Sequence, residues 1–192
     1  MKKIVFLLLS FVLTLPLFAQ FTADMVFTQL GKQRNFKVFS DETRYRYEFN
    51  EDGQEGAVIV NNQTQDFFLI MPQQKMAIKS KAISEISMSA DPLKIYDYYM
   101  EKGGTEKTIG TKNVNGYKCT QRELYDENGN LLHTIWYSEE YNFPVKMVSN
   151  IDIGAKTQME IKNIKSWKPD LEKFKVPQGY TIMDQMMMTP GR

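Results

Sequence analysis

Apolar and polar side chains alternate with a period of two along most of the chain after residue 20. Tyr45, Tyr47 and Phe49, for example, alternate with charged residues, and a run from Val145 to Ile153 repeats the pattern. Successive side chains of a strand point to opposite faces of a sheet, so this pattern is typical of strands with one buried face. We count about eleven such runs, and they predict a mainly β fold.

Turn sequences separate neighbouring runs, among them Asp52-Gly53, Asn115-Gly116 and Asn128-Gly129. Asn and Gly tolerate the positive φ that a tight hairpin turn requires, so consecutive runs are expected to pair as hairpins. A meander of this length has to curl or close to protect its edges. The sequence therefore predicts an antiparallel barrel, a partial barrel or a strongly curved sheet.

One segment departs from the strand period. Asp91 can cap a helix whose first residue is Pro92, and Gly103-Gly104 provide a stop near Lys102. The apolar side chains of this segment lie on or beside one face: Leu93, Tyr96, Tyr99 and Met100. We expect the helix to lie over the concave side of the sheet. A shorter helical turn is expected after Pro169.

The first nineteen residues have the pattern of a cleavable secretion signal. Lys2 and Lys3 precede an apolar run from Ile4 to Phe18, and Ala19 offers a cleavage site. The run is shorter than the roughly 20 residues that span a bilayer, which favours cleavage over the alternative of an uncleaved anchor. The expected organisation is a signal peptide at 1–19, one β domain at 20–184 and a flexible tail at 185–192, in the periplasm.

Composition excludes several classes of partner. The formal net charge is +1 and the basic residues are scattered between carboxylates, so no basic surface for nucleic acid is expected. Membrane contact is expected to be peripheral at most. Cys119 is the only cysteine, so the chain forms no internal disulfide.

The sequence offers few catalytic candidates. His133 and Cys119 each lie within a predicted strand, where a structural role is favoured over a general base or a nucleophile. Acidic pairs such as Asp97/Glu101 fit a solvated surface as well as they fit acid–base chemistry. We therefore expect no enzyme, no cofactor and no metal site.

Methionine is unusually frequent, with 12 in the chain, four of them near the C-terminus at Met183, Met186, Met187 and Met188. Clustered thioethers could bind Cu(I), whereas the alternative is a flexible tail. The internal methionines are interpreted as adaptable lining for a core or a cavity.

Four segments carry a resemblance to a known family. They are Asn115-Gly116-Tyr117-Lys118-Cys119, Ile135-Trp136-Tyr137-Ser138, Phe143-Pro144-Val145-Lys146-Met147 and Phe174-Lys175-Val176-Pro177-Gln178-Gly179-Tyr180. In this order they resemble the landmarks of an exported family of unknown function found in Bacteroidota-type bacteria. That family is similar to the outer-membrane lipoprotein carriers LolA and LolB and to the sensor domain of RseB. The resemblance implies an incomplete β-barrel of about eleven antiparallel strands with helical cover over an apolar cavity.

The residues expected to line this cavity come from the helix and from alternating strand positions. They are Met25, Phe27, Tyr47, Phe67, Leu69, Met76, Leu93, Tyr96, Tyr99, Met100, Met147 and Ile161. The alternative is that these side chains form a dry, fully packed core. The expected function is to bind or shuttle a lipid, a lipoprotein acyl chain or another apolar ligand. The alternative is an envelope sensor or structural protein that acts through a protein partner.

Overall fold

The computed structural model describes residues 20–41, 43–51, 53–84, 87, 91, 93–151 and 157–185. The predicted signal segment 1–19, the expected first helical residue Pro92 and the tail beyond Gln185 lie outside these residues. Within them the protein is mainly β, as the alternating runs predict.

Twelve strands form one sheet: β1 (Phe21–Gln29), β2 (Lys32–Ser40), β3 (Arg44–Glu51), β4 (Gln54–Asn61), β5 (Asp66–Met71), β6 (Met76–Lys81), β7 (Thr105–Val114), β8 (Tyr117–Tyr125), β9 (Leu131–Ser138), β10 (Phe143–Ser149), β11 (Gln158–Ser166) and β12 (Thr181–Asp184). Their order across the sheet is β12-β6-β5-β4-β3-β2-β1-β11-β10-β9-β8-β7. The outermost strands, β12 and β7, do not pair with each other, so over the described residues the sheet is an open half-barrel.

The first eleven strands correspond to the predicted runs, whereas the twelfth was not predicted. β12 has four residues and pairs in parallel with β6, with Thr181 opposite Met76. A segment this short shows no period, and its pairing depends on the path of the chain before it. The expected run from Val145 to Ile153 does not form one strand, because β10 ends at Ser149 and Ile151 lies beyond it; Ile153 lies outside the described residues.

A cluster of apolar side chains covers the inner face of the sheet. Phe21, Met25, Val58, Phe67 and Ile161 belong to it, and each is almost completely buried. The α-helix α1 (Lys94–Glu101) lies on this cluster through side chains on its apolar face, which include Leu93, Tyr96 and Tyr99. The helix therefore lies on the concave face, as expected.

A second cluster covers the outer face of β4 to β6 and involves the C-terminal strap, which we define as Trp167–Asp184. Phe174, in the short 3-10 helix Leu171–Phe174, packs on Ala57, Ile59 and Ile70. This 3-10 helix fulfils the prediction of a helical turn after Pro169, and a second one covers Pro72–Gln74. Because the strap covers the outer face, β4 is buried on both faces from Ala57 to Val60.

Polar contacts also hold the strap to the sheet. The Trp167 indole N–H donates to the Ser40 carbonyl over 3.0 Å, and Lys173 Nζ lies 2.9 Å from Glu48 Oε1. No helix in the described ranges has the length and apolar character needed to span a bilayer.

Candidate functional site

The start of α1 is fixed by a buried carboxyl group. Asp91 accepts hydrogen bonds from the Tyr45 hydroxyl and from the Leu93 amide, the latter over 2.9 Å. Burial is the main cause that raises the pKa of Asp91, from 3.8 to about 6. The helix itself begins at Lys94, with Leu93 at the N-cap position and no side-chain capping bond there, so the expected N-cap role of Asp91 is wrong; Asp91 instead ties the segment just before the helix to β3.

The other end of α1 is fixed by glycine geometry and by one tyrosine. Gly103 has φ +86°, and the Gly104 amide donates to the Tyr99 carbonyl over 2.8 Å. A Cβ at Gly104 would stand only 2.7 Å from that carbonyl oxygen, so the position requires glycine. The Tyr96 hydroxyl donates to Glu106 Oε2 over 2.6 Å, which connects the helix to β7.

A half-open cavity of about 730 Å³ lies beside α1 at one end of the half-barrel. Its apolar wall comes from α1 and from β9 and β10, and includes Leu93, Met100, Ile135, Phe143 and Met147. Polar side chains from the connections between strands also line it: Asp41, Thr43, Asn62, Gln65, Tyr141 and Asn142. The cavity lining therefore combines apolar and polar side chains.

The predicted lining residues divide into two groups. Leu93, Tyr96, Met100 and Met147 line the cavity. The others do not line it: Met25, Tyr47, Phe67 and Ile161 are buried in the inner cluster, Phe27, Leu69 and Tyr99 pack against that cluster, and Met76 is half-buried at the start of β6. The alternating pattern identifies the inner face correctly but does not show where that face is left unfilled.

Several cavity residues were missed by the sequence analysis. Tyr45, Ile135, Tyr137, Tyr141 and Phe143 all line it. Tyr45 carried a usable signal, because it alternates in phase with Tyr47 on β3. Tyr141 lies in a loop, where no periodic pattern exists to indicate its direction.

The two single-copy candidates for chemistry lie away from this cavity. Cys119 and His133 are both buried, and neither contributes to the cavity wall. Burial raises the pKa of the Cys119 thiol and lowers that of His133 from 6.5 to about 4, so both groups stay neutral near pH 7. No group of three or more potential metal ligands occurs among the residues that the structure describes.

No protein-family model and no curated protein matches the sequence. Solved structures do match. An uncharacterized conserved protein from Thermus thermophilus aligns with TM-score 0.59 and 8% identity, over 88% of this chain and 93% of that chain. A LolA superfamily protein from Nitrosomonas europaea aligns with TM-score 0.51 and 12% identity, over 84% and 91% of the two chains.

MucB aligns with TM-score 0.55 and 12% identity, over 86% of this chain but only 60% of that chain. Another structure holds MucB in complex with MucA(peri). Identities this low establish the fold alone. They confirm, for the fold, the resemblance to the LolA superfamily that the sequence landmarks indicate.

Proposed function

We propose that the protein binds a lipid or another apolar ligand, with an acyl or similar chain held in the cavity beside α1. The observation that carries this proposal is the unfilled apolar wall formed by Leu93, Met100, Ile135 and Met147. Protein interiors normally pack to near crystal density, so an opening of this size beside a packed cluster requires an explanation.

The size of the cavity supports this proposal. Ligand pockets typically have volumes of roughly 300–1,000 Å³ and a mainly apolar lining with a few polar groups. The volume of about 730 Å³ lies within that range. Met100 is 39% exposed, so part of the apolar wall faces solvent when no ligand is bound.

Two of the cavity's methionines also suit a ligand of variable shape. Met100 comes from α1 and Met147 from β10, so they approach the cavity from different elements. An unbranched thioether side chain adapts to different shapes at little energetic cost. We propose a binding role of this kind rather than catalysis.

An uncharged fluorescent probe, N-phenyl-1-naphthylamine, provides a direct test. The wild-type protein is expected to bind it, and Met100→Trp is expected to weaken binding at least several-fold because the larger ring occupies the cavity. Ile109→Trp is the matched control, since Ile109 is similarly exposed, at 45%, but lies on β7 outside the cavity wall. Equal affinity of both variants, or no binding to the wild type, would contradict the proposal.

We propose further that the chain is exported, with 1–19 removed and 20–184 forming the envelope domain. The charged start, the apolar run and Ala19 support this. N-terminal sequencing of the protein recovered from the periplasmic fraction is expected to begin near Gln20. Recovery of intact Met1 in the membrane fraction would argue for an anchor.

A protein partner is the second candidate, and the exposed edge strand β7 favours it. Nearly all residues from Thr105 to Val114 are exposed, and within the described chain β7 pairs only with β8. An open edge accepts an added strand through main-chain hydrogen bonds. Native mass spectrometry of protein purified from its own envelope separates the two candidates, because one predicts a bound lipid and the other a bound protein.

A further inference from the structure

The charges on the cavity wall indicate what kind of polar end the ligand carries. Among the described lining residues, three are cationic and four are acidic: Arg44, Lys94 and Arg122, and Asp41, Asp97, Glu101 and Glu106. A site that selects an anionic head group would instead offer unpaired cations.

Each of the three cations already has an acidic partner. Arg44 Nη2 lies 2.6 Å from Asp41 Oδ2, and its Nε donates to the same oxygen over 2.9 Å. Lys94 Nζ lies 2.7 Å from Asp97 Oδ2 and donates to Asn62 Oδ1 over 3.1 Å. These two side chains are therefore neutralised before any ligand arrives.

Arg122 is neutralised more completely. Its Nη2 lies 2.6 Å from Glu139 Oε1 and its Nη1 lies 3.6 Å from Glu106 Oε2. Its guanidinium carbon stands 4.4 Å from the centre of the Tyr137 ring. The Arg122 Nε atom has no hydrogen-bond partner among the described residues, but it is buried, so a ligand in the cavity does not reach it.

The negative charge, by contrast, is not fully balanced. Glu101 is exposed at the cavity and forms no ion pair with any residue that the structure describes.

We propose that the ligand's polar end is uncharged or positively charged, and that the cavity discriminates against single-chain anions such as fatty acids. The inference rests on the proposed function, because it concerns the polar end of an apolar ligand in the same cavity. An anion placed among paired cations and a free carboxylate loses hydration and gains no counter-ion.

Three probes with the same dodecyl chain test this: dodecyltrimethylammonium, dodecyl maltoside and dodecanoate. Affinity is measured by calorimetry at pH 8 and low salt, below the concentration at which each probe forms micelles. We expect the cationic and neutral probes to bind roughly tenfold or more tightly than dodecanoate, the effect of one unfavourable charge pair at the rim of a protein. The difference should shrink as salt is added.

Variants of Glu101 make the test specific. Glu101→Gln should reduce the preference for the cationic probe, and Glu101→Lys should improve the affinity for dodecanoate several-fold, because it adds an unpaired cation. Glu55→Lys is the matched control, since Glu55 is exposed on β4 and lies outside the cavity wall.

The outcomes separate the two proposals. If all three probes bind equally, or dodecanoate binds most tightly, the proposed charge selectivity is wrong and the apolar-ligand function stands. If no probe binds, the proposed function itself fails, and the selectivity fails with it.

Discussion

The two halves of the sheet are built differently. β3 to β6 carry the inner cluster on one face and the strap on the other. β8 and β9 contain all of the described buried side-chain atoms that have no hydrogen-bond partner, on Gln121, Arg122, His133 and Ser138. In the first half, both faces of the sheet are covered by packed side chains and no buried polar side-chain atom among the described residues lacks a hydrogen-bond partner. In the second half, several buried polar atoms lack one.

This difference coincides with the position of the cavity. Arg122 on β8 and Ile135 and Tyr137 on β9 line it. In the other half, strands β4, β5 and β6 contribute none of its wall, whereas β2 and β3 contribute Ser40, Arg44 and Tyr45, and the neighbouring turns contribute Asn62, Gln65 and Ile83. Buried polar atoms usually have partners, so a local group of unsatisfied ones marks a region where packing is not optimised for stability. We infer that β2 to β6 with the strap provide the rigid support and that β8 and β9 form the adaptable side.

The largest expected effect on stability comes from removing a contact between the strap and the sheet. Phe174→Ala should lower the free energy of unfolding by about 3–5 kcal/mol, because it removes a buried aromatic ring from the outer cluster. Urea denaturation measures the change. Leu171→Ala, in the same 3-10 helix but 56% exposed, is the control and should cost less than about 1 kcal/mol. Equal effects would show that the strap does not stabilise the sheet.

The second prediction concerns Asp91, which anchors α1 to the supported half. Its pKa is raised in the folded state, so the folded protein holds the proton more tightly than the unfolded chain does. The associated stabilisation is complete below about pH 4 and is lost as the pH rises through about 6. Asp91→Asn should remove this contribution of about 3 kcal/mol, measured by urea denaturation at pH 4 and pH 7. An unchanged pH profile would contradict it.

His133, in the other half, should show the opposite dependence. Burial lowers its pKa to about 4, so its contribution to stability is present above about pH 6.5 and is lost as the pH falls through about 4. In the wild type, the His133 contribution to the free energy of unfolding falls by about 3 kcal/mol as the pH drops from about 6.5 to below about 4, and His133→Leu should abolish this fall. It should also stabilise the protein at pH 7 by about 1–3 kcal/mol, because neither ring nitrogen has a hydrogen-bond partner among the described residues.

The two groups titrate in overlapping ranges with opposite signs, so their effects offset each other in the wild type. In each single variant, the pH dependence of stability should therefore be that of the group that remains. A double variant with Asp91→Asn and His133→Leu should be nearly flat between about pH 4 and about pH 6.5, the range that the two pKa shifts cover. A slope that persists in the double variant would assign the pH dependence to other residues.

The smallest effect uses the same substitution in both halves. Ser80 on β6 is buried, donates to the Lys81 carbonyl over 2.9 Å and contacts Ser84 Oγ at 2.8 Å. Ser138 on β9 is equally buried, but its hydroxyl has no partner among the described residues. Ser80→Ala should cost about 1 kcal/mol, whereas Ser138→Ala should be neutral or slightly stabilising. The shift in Tm of each variant relative to the wild type measures its effect on stability. Shifts of the same sign would contradict the proposed difference between the two halves.

The sequence predicts the local part of this fold well. Eleven strands follow from alternation, and the end of α1 follows from Gly103, because each of these signals acts within a few residues. The start of α1 at Lys94 was not predicted. The strap was not predicted. Its position depends on contacts such as Trp167 with Ser40 and Lys173 with Glu48, which join residues far apart in the chain.

The cavity was predicted only in part for a related reason. Period two shows which side chains share the inner face, and both Met25 and Met147 satisfy it. Whether a position on that face is packed or open depends on where α1 ends its cover. Met25 is packed in the core, whereas Met147 reaches the cavity. That distinction depends on three-dimensional packing, and the alternation of apolar and polar residues in the sequence does not show it.

Two strand pairs that join distant parts of the chain have a consequence for how the fold forms. β1 pairs with β11, and the outer edge of β6 is paired only once β12 is in place. Contacts between residues so distant in sequence form slowly, because the chain loses the entropy of closing a long loop before the contacts contribute any stabilising free energy. A chain synthesised from its N-terminus therefore cannot complete this sheet until β11 and β12 have been made. Such delayed folding would suit the export proposed above, in which the chain crosses a membrane in the unfolded state.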